Sequence, residues 1–236
     1  MSNPYFQFKQ FTVWHDKCAM KVGTDGVLLG AWTLVESAHR ILDIGTGTGL
    51  VALMLAQRSL PDANIVALEI DEAAVGQARE NIIRSPWKER VEVVQADFKK
   101  YRSSDKFDVI VSNPPYFVDS LECPDRQRAA ARHNDSLTYE DLLEGVSGLL
   151  AEDGFFTMVI PADVAERVKK IASIKKLYAV RQLNVITKPG GIPKRVLITF
   201  SFSNQECIVE ELLTELARHQ YSEEYMTLTR DYYLNM

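Results

Sequence analysis

A short polar segment at residues 112–117 could hold an amino group for reaction. It reads Ser-Asn-Pro-Pro-Tyr-Phe and directly follows an apolar run at 107–111. Its two prolines stiffen the loop and remove two N–H donors, so the carbonyl groups remain free to accept hydrogen bonds. The Asn113 amide can both donate and accept. Two hydrogen-bond acceptors that hold the hydrogens of an aromatic amine would turn its delocalised lone pair towards an electrophile. Tyr116 offers a face for stacking a planar substrate.

A glycine-rich loop at residues 43–49 could bind a nucleotide-like ligand. It reads Asp-Ile-Gly-Thr-Gly-Thr-Gly and lies between an apolar run and a segment rich in Leu, Ala and Met. Glycine permits a sharp turn and a close approach of the ligand, and the following helix start presents N–H donors. Glu69 ends the next apolar run, where a carboxylate can accept hydrogen bonds from ribose hydroxyls. The GxGxG spacing excludes the GxGxxG dinucleotide fingerprint, and the sequence contains no GxxxxGK[ST] phosphate loop.

The elements that must position these two loops alternate between strand and helix from residue 41 onwards. Buried apolar strands that alternate with helices predict an α/β fold, with a mostly parallel sheet and helices on both faces. Two long strand-like runs around a Lys-Pro-Gly-Gly-Ile-Pro turn predict an antiparallel hairpin at the end of the sheet. The seven predicted strands span 41–44, 64–70, 91–94, 107–111, 154–160, 176–187 and 195–202. The predicted helices span 48–58, 71–84 with Asp71 as the cap, 137–150 and 164–172.

The two ends of the sequence differ from this alternation. A period of two in apolar residues over 6–22 predicts a β-hairpin with a polar turn at 15–17. Thr24 and Asp25 predict the start of a helix, with the side chain of one of the two as its cap. The segment after Ser203 predicts an acidic helix. We therefore expect three parts: a hairpin and helix at 1–36, the domain with both loops at 37–203, and a helical tail at 204–236.

The composition is that of an ordinary globular protein. The 236 residues are 46% apolar with a net charge of −5, which excludes disorder or a coiled coil as a description of the whole chain. The longest apolar run, at 50–56, is too short to span a membrane, and no signal peptide is visible, so we expect a cytoplasmic location. The three cysteines lack a CxxC spacing and the four histidines lack an HxxxH spacing, so we expect free thiols and no metal site.

The acidic net charge conceals a basic segment. Residues 164–200 contain nine Lys or Arg and one acid, whereas residues 1–163 carry a charge of −8 and residues 201–236 a charge of −5. Further bases follow the Asn-Pro-Pro-Tyr loop at 126–133. Because phosphate contacts supply most nonspecific affinity for nucleic acids, this distribution predicts a local RNA-binding surface.

Both loops resemble motifs of known enzymes. The glycine loop resembles motif I of the class I S-adenosylmethionine-dependent methyltransferases, and Asn-Pro-Pro-Tyr resembles motif IV of those that methylate amino groups. The resemblance implies a Rossmann-like methyltransferase domain with S-adenosylmethionine as cofactor. Asp43 would lie near the methionine end, Glu69 at the ribose and Asp97 at the adenine. The cofactor-binding residues that it implies are Lys21, Thr24, Asp43, Gly45, Thr46, Gly47, Gly49, Glu69, Ile70, Asp97, Phe98 and Asn113.

Further segments carry a more specific resemblance, over about residues 5–203. Residues 6–16, 19–32, 128–133 and 188–196, together with the Asn-Pro-Pro-Tyr loop, closely resemble the bacterial tRNA1(Val) adenine-N6 methyltransferases. That family implies methylation of adenine 37, next to the anticodon, by a monomer that binds the anticodon stem-loop of tRNA. It also implies that the Lys-Val-x-Thr-Asp segment, which includes Asp25, packs against the cofactor cleft. The catalytic residues would be Asn113, Pro114, Pro115 and Tyr116. The RNA-binding residues would be Arg126, Arg128, Arg132, His133, Lys188, Lys194 and Arg195.

Four other functions have to be considered. A glutamine methyltransferase of peptide release factors shares both loops, but it normally carries a separate helical N-terminal domain, and only about 40 residues precede the glycine loop here. Another RNA or DNA amino-group methyltransferase is compatible with the same motifs. A non-enzymatic nucleic-acid binder with this fold is disfavoured by the intact Asn-Pro-Pro-Tyr loop, and a nicotinamide-dependent dehydrogenase by the glycine spacing.

Overall fold

An eight-stranded sheet forms the centre of the computed structural model, which describes residues 3–18, 21–114, 137–218 and 220–235. The strands are β3 (Arg40–Ile44), β4 (Asn64–Glu69), β5 (Val91–Gln95), β6 (Phe107–Ser112), β7 (Leu150–Pro161), β8 (Tyr178–Ile186), β9 (Arg195–Ser201) and β10 (Ile208–Leu213). Their order in the sheet is β10-β8-β9-β7-β6-β3-β4-β5. Neighbours among β3 to β7 are parallel, β9 is antiparallel to both β7 and β8, and β10 is parallel to β8.

Helices cover both faces of this sheet, as the alternating apolar runs predicted. Successive side chains of a strand point to opposite faces, so Ile41 belongs to one core cluster whereas Leu42 and Ile44 belong to the other. The helices are α1 (Thr24–Trp32), α2 (Leu50–Arg58), α3 (Glu72–Ile83), α4 (Tyr139–Leu149), α5 (Ala165–Ile174) and α6 (Glu223–Thr229). The first cluster includes buried residues of α1 and α2, and the second includes those of α4 and α5.

The predicted helix caps are partly confirmed. Asp71 caps α3, because its side chain accepts a hydrogen bond of 2.8 Å from the backbone N–H of Ala74. Helix α1 begins at Thr24 as predicted, but the cap is Gly23 and no side chain caps it. The expectation that Thr24 or Asp25 caps this helix is therefore wrong, since both residues lie inside its first turn.

The N-terminal hairpin is confirmed, but its turn lies elsewhere. Strands β1 (Tyr5–Gln7) and β2 (Thr12–Trp14) pair antiparallel, and the Phe8 N–H donates to the Phe11 carbonyl at 2.8 Å. The reversal is therefore at 8–11, and the turn predicted at 15–17 is wrong. Residues 14–17 instead dock on α3: the backbone N–H of Lys17 donates to the side chain of Gln77 at 3.1 Å.

The acidic C-terminal segment also differs from the prediction. Residues 208–213 form β10, which makes eight strands in the described part of the sheet instead of seven. The strand forms although the local sequence favours a helix. Its backbone groups pair with β8 and its Leu212 side chain is buried, and such tertiary contacts often override local propensity at a sheet edge. Two short strands, β11 (Glu215–Ala217) and β12 (Gln220–Tyr221), then pair before α6. The division of the chain at residues 36 and 203 stays a prediction.

The two ends of the chain meet in the structure. Phe8 and Tyr233 form an isolated β-bridge, and the Lys9 N–H donates to the Tyr232 carbonyl at 2.7 Å. The N-terminal hairpin and the C-terminal segment therefore pack together on the face of the sheet that carries α1. Within the described ranges, no helix is long and apolar enough to cross a membrane.

Candidate active site

The glycine loop follows β3 and borders open space. Gly45, Gly47 and Gly49 have φ values of +72°, +57° and +82°, a region that side chains other than glycine rarely adopt. The N–H groups of Gly45 and Thr46 both donate to the Leu68 carbonyl at 2.9 Å, which ties the loop to β4. A Cβ atom on Gly45 or Gly47 would meet no protein atom within 4 Å. The loop thus leaves room for a ligand directly against its backbone.

Asp43 is a buried carboxyl group at the end of β3. One of its oxygens accepts hydrogen bonds from the Thr46 hydroxyl at 2.6 Å and from the Ala52 N–H at 3.2 Å. Burial raises the pKa of Asp43 to about 7, although these two hydrogen bonds act to lower it. The nearby Glu69 carboxylate also acts to raise this pKa. Asp43 therefore holds the loop against the start of α2.

Backbone N–H groups hold the Glu69 carboxylate at the end of β4. Oε2 accepts from Gly47 at 2.9 Å, and Oε1 accepts from Ile70 at 2.8 Å and from Asp71 at 3.0 Å. Each carboxylate oxygen has two lone pairs, so Oε1 is fully used and Oε2 keeps one free. The carboxylate is fixed beside the glycine loop and can still accept a hydrogen bond from a ligand through Oε2.

Asn113 and Pro114 lie across a cleft from the glycine loop. Strands β3 and β6 are neighbours, and the Ser112 hydroxyl donates to the Ile44 carbonyl at 3.0 Å, so the two loops start from the same edge of the sheet. They share a cavity of about 330 Å³. Its lining residues are Lys21, Gly23, Thr24, Asp25, Gly26, Asp43, Gly45, Thr46, Gly47, Thr48, Leu50, Val51, Asn113 and Pro114.

The N-terminus of α1 forms another wall of this cleft. A Cβ atom on Gly26 would lie 3.1 Å from Leu50 Cδ2 and 4.0 Å from Asn113 Nδ2. Sequence reasoning missed Gly26, Leu50 and Val51 as cleft residues. The sequence contained a signal for Gly26. Glycine inside a helix costs about 1 kcal/mol relative to alanine, so its presence in the predicted helix suggests that another part of the chain approaches the helix closely there.

Other predicted cofactor residues lie outside the cavity lining. Asp97 follows β5, where its side chain accepts from the Lys99 N–H at 3.0 Å. The ring of Phe98 is buried in the core, and a Cβ on Gly145 would lie 2.5 Å from it, so this ring packs against α4. Ile70 is 60% exposed beside Glu69. Gly49 packs near Ala78 of α3.

Acids neutralise part of the predicted basic segment. Among the described residues, five of its nine bases pair with acids, and four of these acids come from other parts of the chain. The pairs are Arg167–Glu140, Lys169–Glu166, Lys175–Glu144, Arg181–Glu210 and Arg195–Asp25. Lys188 and Lys194 are exposed between β8 and β9. This connection lies at the edge of the sheet that bears the cleft, because Arg195 is opposite Pro161 at the end of β7.

Six predicted site residues lie outside the described residues, namely Pro115, Tyr116, Arg126, Arg128, Arg132 and His133. Cys18 and Cys207 are free thiols, and Cys123 also lies outside the described residues. Where the structure describes the chain, no three His, Cys, Asp or Glu side chains are grouped as metal ligands.

Comparison with known proteins identifies similar sequences over the whole chain. The model of the family "Methyltransferase small domain" matches residues 22–175. A protein of Bacteroides thetaiotaomicron is 78% identical over the full length of both chains. One of Aeromonas hydrophila is 47% identical over 99% of both. Both relatives are named tRNA1(Val) (adenine(37)-N6)-methyltransferase.

Solved structures with low sequence identity share the fold. A predicted O-methyltransferase of Agrobacterium tumefaciens has a TM-score of 0.70 at 20% identity, and the match covers 90% of this chain and 100% of the other. A ribosomal protein L11 methylase of Lactobacillus delbrueckii has a TM-score of 0.57 at 15% identity, over 80% and 83% of the two chains. These similarities extend to the fold alone.

Proposed function

The chain belongs to the family of tRNA1(Val) (adenine(37)-N6)-methyltransferases, and on that basis we propose that it methylates the N6 amine of adenine 37 in that tRNA. It is an S-adenosylmethionine-dependent methyltransferase. One observation supports the proposed chemistry most: Asn113 and Pro114 face the glycine loop across a single cavity. A cofactor on one side and an amino group on the other would meet there.

The residues of the cleft fit S-adenosylmethionine. The positions of Cβ atoms on Gly45 and Gly47 are open, so the cofactor can lie directly on the loop backbone. The Glu69 carboxylate, fixed by three N–H groups, would accept from a ribose hydroxyl through Oε2. Asp97 would contact the adenine, with the exposed Ile70 beside Glu69 as an apolar wall. When bound, the cofactor supplies an electrophilic methyl group on a sulfonium sulfur.

Asn113 is the residue that would align the amine. Its side-chain oxygen would accept one hydrogen of the amino group, and a carbonyl of the proline loop would accept the other. The nitrogen lone pair would then point into the cavity towards the glycine loop. Alignment for in-line displacement can supply several kcal/mol of barrier reduction, and no proton transfer has to precede it. Pro114 and Pro115 would keep the carbonyl acceptors in place, and Tyr116 would stack on the base.

A tRNA anticodon stem-loop is the partner that we propose for a cytoplasmic monomer. The target base has to leave its stack before it reaches the cleft. Lys188 and Lys194 project from the same edge of the sheet as the cleft and would contact phosphates, with Arg126, Arg128, Arg132 and His133 adding to this surface. The release-factor alternative is not favoured, because relatives that are 78% and 47% identical over the length of this chain are named as tRNA methyltransferases.

Labelled S-adenosylmethionine tests the proposal. The enzyme is incubated with total tRNA from a strain that lacks the gene, and with a peptide release factor in a parallel reaction. We expect label in the tRNA, recovered as N6-methyladenosine after digestion to nucleosides. Label in the release factor as methylglutamine, with unlabelled tRNA, would reject the proposed substrate.

A further inference from the structure

A second, larger cavity adjoins the cofactor cleft. It has a volume of about 740 Å³, and Thr24 and Asp25 line both cavities. We call it the aromatic cavity because the rings of Tyr5, Phe6, Tyr221 and Tyr233 line it. Lys194 and Arg195 also belong to its lining. Binding sites for organic ligands usually span about 300–1,000 Å³, so it can hold a group of nucleotide size.

The aromatic rings of this cavity come from both ends of the chain. Phe6 of the hairpin and Tyr233 of the C-terminal segment contact each other edge to face, with centroids 5.8 Å apart. Tyr221 packs against Tyr225 with centroids 5.3 Å apart, and Tyr225 is buried. Tyr221 itself is 37% exposed. A buried ring thus supports an exposed one, which leaves a rigid face open for stacking.

Polar groups surround these rings. Lys194 is exposed at the cavity, and Arg195 beside it donates from Nε to Asp25 at 3.1 Å. Glu215 is half-buried in the lining, and its backbone N–H donates to the Thr187 carbonyl at 3.1 Å, which fixes its main chain at the cavity wall. A nucleotide suits these groups. The cationic side chain would contact its phosphate, the aromatic rings would stack on its base, and the carboxylate would accept hydrogen bonds from the N–H groups of that base.

We propose that the aromatic cavity binds one unstacked nucleotide next to the adenine that is methylated. The inference rests on the proposed function, because it needs an RNA whose target base occupies the cleft. The shared wall at Thr24 and Asp25 makes the two cavities neighbours, as consecutive nucleotides require. Proteins that read single-stranded RNA stack unpaired bases on aromatic side chains in this way.

Variants of Tyr221 test the stacking face through kcat/KM for a tRNA1(Val) transcript. Loss of one stacked base corresponds to at least about a fivefold change. Tyr221→Ala should therefore lower kcat/KM for tRNA at least about fivefold, mainly through KM, and leave the dissociation constant for S-adenosylmethionine unchanged. Tyr221→Phe keeps the ring and should restore wild-type values. The control is Tyr178→Ala, a partly exposed tyrosine about 23 Å from the cavity end of β8.

A fluorescent base reports on the cavity directly. 2-Aminopurine replaces each nucleotide next to adenine 37 in turn, and its emission is measured with the protein in excess. At one of the two positions we expect quenching by wild type and by Tyr221→Phe, but not by Tyr221→Ala. Should Tyr221→Ala not fold, Tyr5→Ala on the hairpin wall carries the same expectation.

The outcomes separate the two proposals. If wild type methylates tRNA but Tyr221→Ala keeps full kcat/KM and full quenching, the aromatic cavity holds no nucleotide and the proposed function stands. If wild type does not methylate tRNA, both proposals fail. An equal loss in Tyr221→Phe would also overturn the stacking role, since that variant keeps the ring.

Discussion

At the scale of single residues, the proposed chemistry rests on Asn113. It follows β6 and lies across the cavity from the glycine loop, which Glu69 holds through the Gly47 N–H. Sequence alone could predict these side chains because each lies directly after a strand of a parallel sheet, where ligands bind. It could not predict the contact of Gly26 with Leu50, because that contact depends on how α1 packs.

Replacement of Asn113 by alanine should strongly reduce methyl transfer without loss of cofactor binding. The variant removes the acceptor that aligns the amine, so we expect kcat to fall by about 10²-fold or more. The dissociation constant for S-adenosylmethionine, measured by calorimetry, should stay within about threefold of wild type, a difference below 1 kcal/mol. Asn64→Ala, at an exposed position at the opposite end of β4, is the matched control. Lost cofactor affinity with surviving transfer would contradict the role of Asn113.

Gly47→Val should prevent cofactor binding. The φ of +57° is strained for valine, and its side chain would occupy the open space over the loop. We expect the dissociation constant for S-adenosylmethionine to rise by about 10²-fold, which corresponds to the loss of about 2.7 kcal/mol. Gly76→Ala lies in α3, where an added Cβ also meets no atom within 4 Å, and should bind as wild type does. Unchanged affinity in Gly47→Val would place the cofactor elsewhere.

Asp43 should make stability depend on pH in an unusual direction. Burial raises its pKa to about 7, so the folded state binds a proton that the unfolded state releases near pH 4. This contribution is complete below pH 4 and is lost as the pH rises to about 7.

Chemical unfolding of wild type and Asp43→Asn checks this dependence. The free energy of unfolding of wild type, minus that of Asp43→Asn, should fall by on the order of 4 kcal/mol between pH 4 and pH 7.5. A difference that does not change with pH would show that the carboxyl group is ionised in the folded protein throughout this range.

At the scale of elements, the strand and helix pattern between residues 40 and 202 follows the sequence closely. Apolar runs between turns predicted β3 to β9, and the Asp71 cap located α3. The helix predicted after Ser203 is instead the strand β10, because pairing with β8 stabilises this segment and no local sequence pattern does. Four of its six side chains are exposed, and Arg181 holds Glu210 from the neighbouring strand. Such contacts link residues far apart in the sequence.

The edge strand β10 provides a stability test. Leu212 is its buried side chain, so Leu212→Ala should lower the free energy of unfolding by about 2–4 kcal/mol. Ile208→Ala, in the same strand but 61% exposed, should lower it by less than about 1 kcal/mol. Denaturant titration measures both. Equal effects of the two substitutions would mean that β10 does not pack on the sheet as described.

At the scale of the whole molecule, the distribution of charge in space differs from that along the sequence. Residues 164–200 have nine bases and one acid, yet five of these bases pair with acids, most of which lie in other elements. Exposed pairs of this kind contribute little to stability. Lys188 and Lys194 are among the exposed bases at the cleft edge that could contact a polyanion. The net charge of −5 for the whole chain does not reveal this local positive charge.

The salt dependence of tRNA binding tests this surface. Replacing both Lys188 and Lys194 by glutamine should weaken binding and reduce the slope of log K against log [salt] by about 1.5–2, one unit or slightly less for each phosphate contact. Lys170→Gln, an exposed lysine of the same basic segment on α5, should leave the slope unchanged. An unaltered slope in the double variant would move the RNA-binding surface away from the β8–β9 connection.

The central claim, that the cleft methylates adenine 37, is tested most directly with two purified transcripts of tRNA1(Val). One carries adenine at position 37 and the other guanine, and each is incubated with the enzyme and S-adenosylmethionine. Mass spectrometry of nuclease fragments should find N6-methyladenosine at position 37 of the first transcript and no added methyl group in the second. An unmodified adenine 37, or equal methylation of both transcripts at another position, would contradict the account.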